Sequence, residues 1–239
     1  MQWDVMQKQE RIMRIVMSVV FPVAMLFLSK EAATAQVIYM GDAIAQEKKC
    51  IVVDVGHGGK DPGKVGVTGC YEKDINLQIA EKLKIFLELE GFEVVLTRDG
   101  DYGLYSESDT NKKNADMKNR VKLIEATNPL LTVSIHQNSY SDASIKGAQT
   151  FYYSGSEESR KLANVMQARL VGTLDKSNHR KAKANDNYYL LENTTCPMVI
   201  VECGFLSNEE ECNNLESDYY QEKVAWAIYI GIMQYLNTK

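Results

Sequence analysis

The sequence predicts an α/β fold with three layers: a mostly parallel, twisted sheet with helices on both faces. Two observations carry this. Short runs rich in valine and isoleucine alternate along the chain with stretches whose apolar residues recur every three or four positions. Those runs are apolar throughout, as strands covered on both faces are, and strand–helix alternation makes successive strands parallel.

The elements follow in order. Ile15 to Leu28 is an apolar run of 14 residues broken only by Ser18 and Pro22, preceded by Arg11 and Arg14 and followed by Ala33-Thr34-Ala35. It falls short of the roughly 20 residues of a comfortable span. A basic flank, a short apolar core and a small-x-small site describe an export signal. Residues 1–35 are therefore expected to be a signal peptide or, if uncleaved, an N-terminal membrane anchor, and 36–239 one catalytic domain. Either way the chain is expected outside the cytoplasmic membrane, in the cell wall or an intermembrane space.

Cys50 to Val55 reads as a buried strand. Ile75, Ile79, Leu83 and Phe86 form one helical face that stops at Gly91. The helix begins near Asp74, with Glu72 just before it. Phe92 to Thr97 is the next strand, and the polar stretch Asp99 to Asp116 reads as a surface loop. Val121, Leu123 and Ile124 suggest a helix ending near Asn128-Pro129. Leu130 to Ile135 and Gln149 to Tyr153 are strands. Ser156 to Leu174 is a helix capped by Ser156 or Ser159. Tyr188 to Leu191 and Met198 to Glu202 are strands, and Tyr219 to Leu236 is a closing helix.

Composition narrows the function. With 27 basic and 32 acidic residues the net charge is −5, and no basic stripe is interleaved with aromatics, which argues against nucleic acid. Lys112, Lys113 and Lys118 read as a solvated face. The five cysteines (50, 70, 196, 203 and 212) include no C-x-x-C pair, so a cysteine zinc site is unsupported. Cys50, Cys196 and Cys203 stand in apolar runs, where cysteine behaves as a small hydrophobe, and most cysteines are expected to be unpaired.

In parallel α/β sheets, ligands sit beyond the carboxyl ends of the strands. Three predicted strands end in reactive groups: His57 in Gly56-His57-Gly58-Gly59, His136 in His136-Gln137-Asn138, and Glu202 in Glu202-Cys203-Gly204. Two histidines and a carboxylate with an open fourth position are the donor set of zinc hydrolases, which makes His57, Glu72 and His136 candidate ligands of Zn2+. Such an ion brings the pKa of bound water to about 7 and polarises a scissile carbonyl. A second carboxylate outside the ligand set then serves as general base and later as acid, and Glu202 is the candidate. An acid following Met-Val-Ile-Val is costly unless paired or placed in a cleft. The bland alternatives are hydrogen-bonded structural histidines and, for Glu72, a first-turn carboxylate favoured by the helix dipole. His179, among Arg180, Lys181 and Lys183, reads as exposed. H-E-x-x-H is absent, which excludes the thermolysin-like arrangement.

At these residues the sequence resembles the zinc-dependent N-acetylmuramoyl-L-alanine amidases, from about Cys50 to Leu236. IVVDVGHGGKDPGKVG matches the family's first zinc motif, and YEKDINLQIA carries its glutamate ligand at Glu72. LTR at 96–98 and MKNRV at 117–121 match a middle segment. VSIHQNSY carries the third ligand, and PMVIVECGFLSNEEE places the family's catalytic glutamate on Glu202. Most relatives have alanine at Gln137, and leucine or a small residue at Cys203. The HQNS form, one N-terminal apolar segment and the lack of wall-binding repeats resemble the spore-cortex, germination-specific subgroup.

The resemblance implies a peptidoglycan substrate, cleavage of the amide between N-acetylmuramic acid and L-alanine, and a role in forming cortex muramic δ-lactam. It also implies an accessory lipoprotein as partner, with membrane contact only through the N-terminal segment. Asn138 is a candidate substrate contact or a turn cap. Two rival readings remain: a zinc carboxypeptidase acting on stem peptides, and a peptidoglycan-binding module without catalysis.

Overall fold

A computed structural model describes residues 49–238. The predicted signal or anchor at 1–35 lies outside them. Among the described residues, no helix is long and apolar enough to cross a membrane.

Six strands form one sheet: β1 (Cys50–Val55), β2 (Glu93–Leu96), β3 (Thr132–Asn138), β4 (Gln149–Tyr152), β5 (Lys183–Ala184) and β6 (Met198–Phe205), in the order β2-β1-β3-β6-β4-β5. β1 pairs parallel with β2 and β3, and β3 with β6. β4 runs antiparallel to β6 and parallel to β5, so the sheet is mixed at one edge.

Among the described residues six helices accompany it: α1 (Glu72–Leu89), α2 (Lys112–Thr127), α3 (Glu157–Thr173), α4 (Tyr189–Asn193), α5 (Glu209–Glu216) and α6 (Asp218–Asn237). On one face α1 and α3 pack on the sheet and α6 packs against both of them; on the other, α2 lies against β1 and α4 against β6. Strand side chains alternate between these layers. Ile51, Val53 and Val55 of β1, Val133 and Ile135 of β3, and Val199 and Val201 of β6 face the first layer. Val52, Met198 and Ile200 face the second. Each fully buried aliphatic side chain contributes about 1.5–3 kcal/mol relative to exposure.

The helices start and stop for local reasons. α1 buries Ile75, Ile79, Leu83 and Leu87, one stripe at four-residue spacing. It ends at Gly91, where the Phe92 amide donates to Leu87 O at 3.2 Å and the Gly91 amide to Glu88 O at 3.0 Å. The Asn111 side chain caps α2 and that of Ser156 caps α3. Asn208 and Ser217 do the same for α5 and α6.

Several expectations are corrected. Tyr188 to Leu191 is not a strand: Tyr189–Asn193 forms α4, which buries Leu190 and Leu191 on the second face, while β5 takes the sheet edge. A four-residue apolar run is too short for periodicity to distinguish the two. The polar stretch ends sooner than expected, since α2 begins at Lys112, where the Asn111 side chain supplies the missing N-terminal acceptor. β3 and β6 also run past the points where their apolar residues stop, because each is paired along its length by the other. His136 therefore lies within its strand instead of after it, and Glu202 lies mid-strand instead of at the end. Glu72 is the first residue of α1, not a residue ahead of it.

Candidate active site

Strand parity assembles the site. Asp54 on β1, Ser134 and His136 on β3, and Glu202 on β6 fall on the same sheet face as Val52 and Ile200. The parallel register places His136 directly beside Glu202. α2 and α4 cover this face only in part, leaving a cavity of about 350 Å³ whose lining includes His57, Glu72, His136, Tyr188 and Glu202.

His57, Glu72 and His136 each point one donor atom at a common space, with the three atoms within 4.8 Å of one another. Glu72 Oε1 lies 3.2 Å from His57 Nε2 and 2.9 Å from His136 Nδ1. It also accepts from the Gln137 amide at 3.0 Å, and Oε2 accepts from the Lys64 amide at 2.7 Å. Glu72 is 1 % exposed. Burial works to raise its pKa, but the two imidazoles outweigh burial and hold the carboxylate ionised. Burial likewise works to lower the pKa of His57, and is outweighed by its contacts with Asp61 and Glu72, which raise it to about 9.

The ring orientations are held from behind. His57 Nδ1 lies 2.9 Å from Asp61 Oδ2, which leaves Nε2 for the common space. His57 itself has φ +63°, a left-handed backbone that costs a non-glycine residue about 1–3 kcal/mol. That backbone is held by Arg98 Nε and Arg120 Nη2, each donating to His57 O at 2.7 Å. Arg98 Nη2 and Asn76 Nδ2 donate to Gly56 O at 3.0 and 3.1 Å. Gly56 stands against the His136 ring, and a Cβ there would lie 2.5 Å from Nε2, too close for any side chain.

Glu202 is 7 % exposed and its Oε2 is buried without a hydrogen-bond partner, while Oε1 accepts from the Tyr188 hydroxyl at 3.4 Å. Burial pushes its pKa up despite the nearby His136. Burial and Glu202 together push the Tyr188 phenol up to about 12. An orphaned carboxylate oxygen beside three convergent donors fits a site built to receive a cation and a reacting group.

The structure thus brings together four of the five residues predicted from the sequence. The fifth, Asn138, is not among the cavity-lining residues; its Oδ1 accepts from the Ser139 amide at 2.8 Å, a turn contact. Lys113, expected on a solvated face, lines the cavity mouth. His179 is exposed, as its cationic neighbours suggested. Sequence reasoning assigned no role to Asp61, Arg98, Arg120 or Tyr188. Asp61 was within reach, because a carboxylate four residues from a candidate histidine ligand is the group expected to orient that ring.

The family model described as N-acetylmuramoyl-L-alanine amidase matches residues 51–234. The germination-specific N-acetylmuramoyl-L-alanine amidase of Bacillus subtilis is 39% identical over 194 residues, spanning 80% of this chain and 81% of that protein. Among solved structures, the CwlD amidase from Clostridioides difficile, in complex with the GerS lipoprotein, superposes with a TM-score of 0.78 at 44% identity, covering 80% of this chain and 100% of that one. The catalytic domain of CwlV, an N-acetylmuramoyl-L-alanine amidase from Bacillus (Paenibacillus) polymyxa var. colistinus, superposes at 0.70 with 35% identity, covering 80% and 99%.

Proposed function

Since the chain belongs to the N-acetylmuramoyl-L-alanine amidase family, we propose that it cleaves the peptidoglycan amide between N-acetylmuramic acid and L-alanine, with His57, Glu72 and His136 holding zinc and Glu202 as general base. One observation carries this reading: three metal-donor atoms converge in a cavity where Glu202 Oε2 stands unpartnered. Two imidazoles and a carboxylate suit zinc.

When bound, zinc supplies a Lewis acid that polarises an amide carbonyl and acidifies water. The chain's own groups do the rest. Asp61 keeps His57 Nε2 turned to the site, and the Gln137 and Lys64 amides hold Glu72 in place. Glu202 Oε2 takes the proton of the attacking water and passes it to the leaving amine of L-alanine. Burial raises the basicity of Glu202 toward what that exchange requires. Tyr188 donates to the other oxygen, which leaves Oε2 without a partner.

The germination-specific relative and the CwlD amidase support a role in spore-cortex maturation, where stripped muramic acid becomes available for δ-lactam formation. The lipoprotein bound to the CwlD amidase supports a lipoprotein partner for this chain. The N-terminal segment supports export, with residues 1–35 as signal or anchor and 36–239 as the catalytic domain. The test is digestion of peptidoglycan by protein of measured zinc content. An amidase leaves intact stem peptides with free L-alanine amino termini, and a chelator stops it. Shortened stem peptides would point to the carboxypeptidase reading, and unchanged glycan to a binding module.

A further inference from the structure

Away from the cavity, two thiols meet. Cys70 lies in the turn leading into α1 and Cys212 in α5; they are 142 positions apart in sequence, and their sulfurs are 3.5 Å apart. The backbone sets this approach. The Gly66 amide donates to Cys70 O at 2.8 Å and the Val67 amide to Leu206 O at 3.0 Å, which seats the turn on the segment joining β6 to α5. No side chain intervenes: a Cβ on Gly66 would lie 2.5 Å from Cys70 Sγ and 2.7 Å from Cys212 Sγ. Cys212 is buried and Cys70 half-buried, so one sulfur is reachable and the other is delivered to it by the fold.

We infer that Cys70 and Cys212 form a disulfide that ties the turn ahead of Glu72 to α5. A disulfide bond is about 2.05 Å long, so closure needs about 1.5 Å of approach, within reach of side-chain rotation and a small turn adjustment. The oxidant is another disulfide, of a small thiol or of a thiol–disulfide oxidoreductase. The Cys70 thiolate attacks one of its sulfurs and expels a thiolate. Cys212, deprotonated, then attacks Cys70 Sγ in the mixed disulfide and expels the second. The chain loses two electrons and two protons, and the oxidant becomes two thiols. Thr68 Oγ1 lies 3.3 Å from Cys212 Sγ and donates to Glu216 Oε2 at 2.6 Å, which occupies that carboxylate. The crosslink needs neither the amidase reading nor zinc in the cavity.

The test incubates native full-length protein with oxidised glutathione, then denatures it, alkylates with iodoacetamide and measures intact mass. Three alkylated cysteines of the five are expected before reduction and five after it. Peptide mapping should join residues 65–73 to the peptide containing Cys212. Reduction should lower the melting temperature by on the order of 5–10 °C. The C70S/C212S variant should show three alkylated cysteines with or without reductant and no such shift. Five alkylated cysteines after oxidation, a crosslink between any other pair, or zinc held by Cys70, Cys212 and Glu216 with both thiols retained would each overturn the inference.

Discussion

Arg98 and Arg120 converge on a single acceptor: from the loop after β2 and from α2 respectively, each donates to the carbonyl oxygen of His57 at 2.7 Å. Both side chains are 1 % exposed. Arg120 also donates from Nη1 to Asp54 Oδ1 at 2.7 Å, so the loop bearing His57 is bolted to a carboxylate inside the sheet. Removing one member of a buried pair leaves the other charge uncompensated, at about 3–5 kcal/mol. Arg120→Met is expected to lose about that much stability in urea denaturation and to weaken zinc retention. A loss below about 1 kcal/mol would mean that Asp54 finds another partner.

Asp54 is expected to make the protein acid-sensitive. Burial works to raise its pKa, but Arg120 and the Ser134 hydroxyl outweigh burial, so the folded value lies below the unfolded value of about 3.9. A depressed folded pKa stabilises above the unfolded value, and that contribution is lost as pH falls through the folded one. Urea midpoints are expected to drop between about pH 4 and more acidic conditions. The drop should be shallower in Asp54→Asn, whatever that variant's stability at neutral pH. Parallel curves for the two proteins would remove Asp54 from the account.

Glu202→Gln keeps the shape of the side chain and removes its basicity. A general base contributes about 10²–10⁴-fold, and a loss of kcat in that range is expected. The carboxylate is no ligand in this arrangement, so zinc content by atomic emission should stay near that of the parent. Loss of metal together with activity would instead make Glu202 part of the metal site.

Asp61→Asn should separate orientation from ligation. Asp61 is held low, at about 2, chiefly by its contact with His57, and the neutral amide gives up that attraction. Groups that orient a ligand from behind are worth about 10–100-fold in metal affinity. Competition against a chromophoric chelator should show a weakening of that size. An unchanged affinity would assign Asp61 to the turn alone, where its Oδ1 accepts from the Gly63 amide at 3.1 Å.

Much of this was legible in the sequence because it is local. Continuous apolar strand runs and period-four helical faces read out directly, as with Cys50–Val55 and with Ile75, Ile79 and Leu83. The motifs around His57, Glu72, His136 and Glu202 name the four side chains that the fold brings to one cavity. The tertiary structure decided what depends on partners distant in the chain. Register along β3 and β6 placed Glu202 beside His136 inside the sheet, whereas the apolar pattern alone ended each strand too early. Packing on the second face turned Tyr189–Asn193 into a helix. A lone arginine in sequence is by default a solvated cation, and only the fold shows Arg98 and Arg120 buried on one carbonyl oxygen. Periodicity is written residue by residue; which buried polar group meets which is settled by chain closure over tens of residues, and that leaves no local mark.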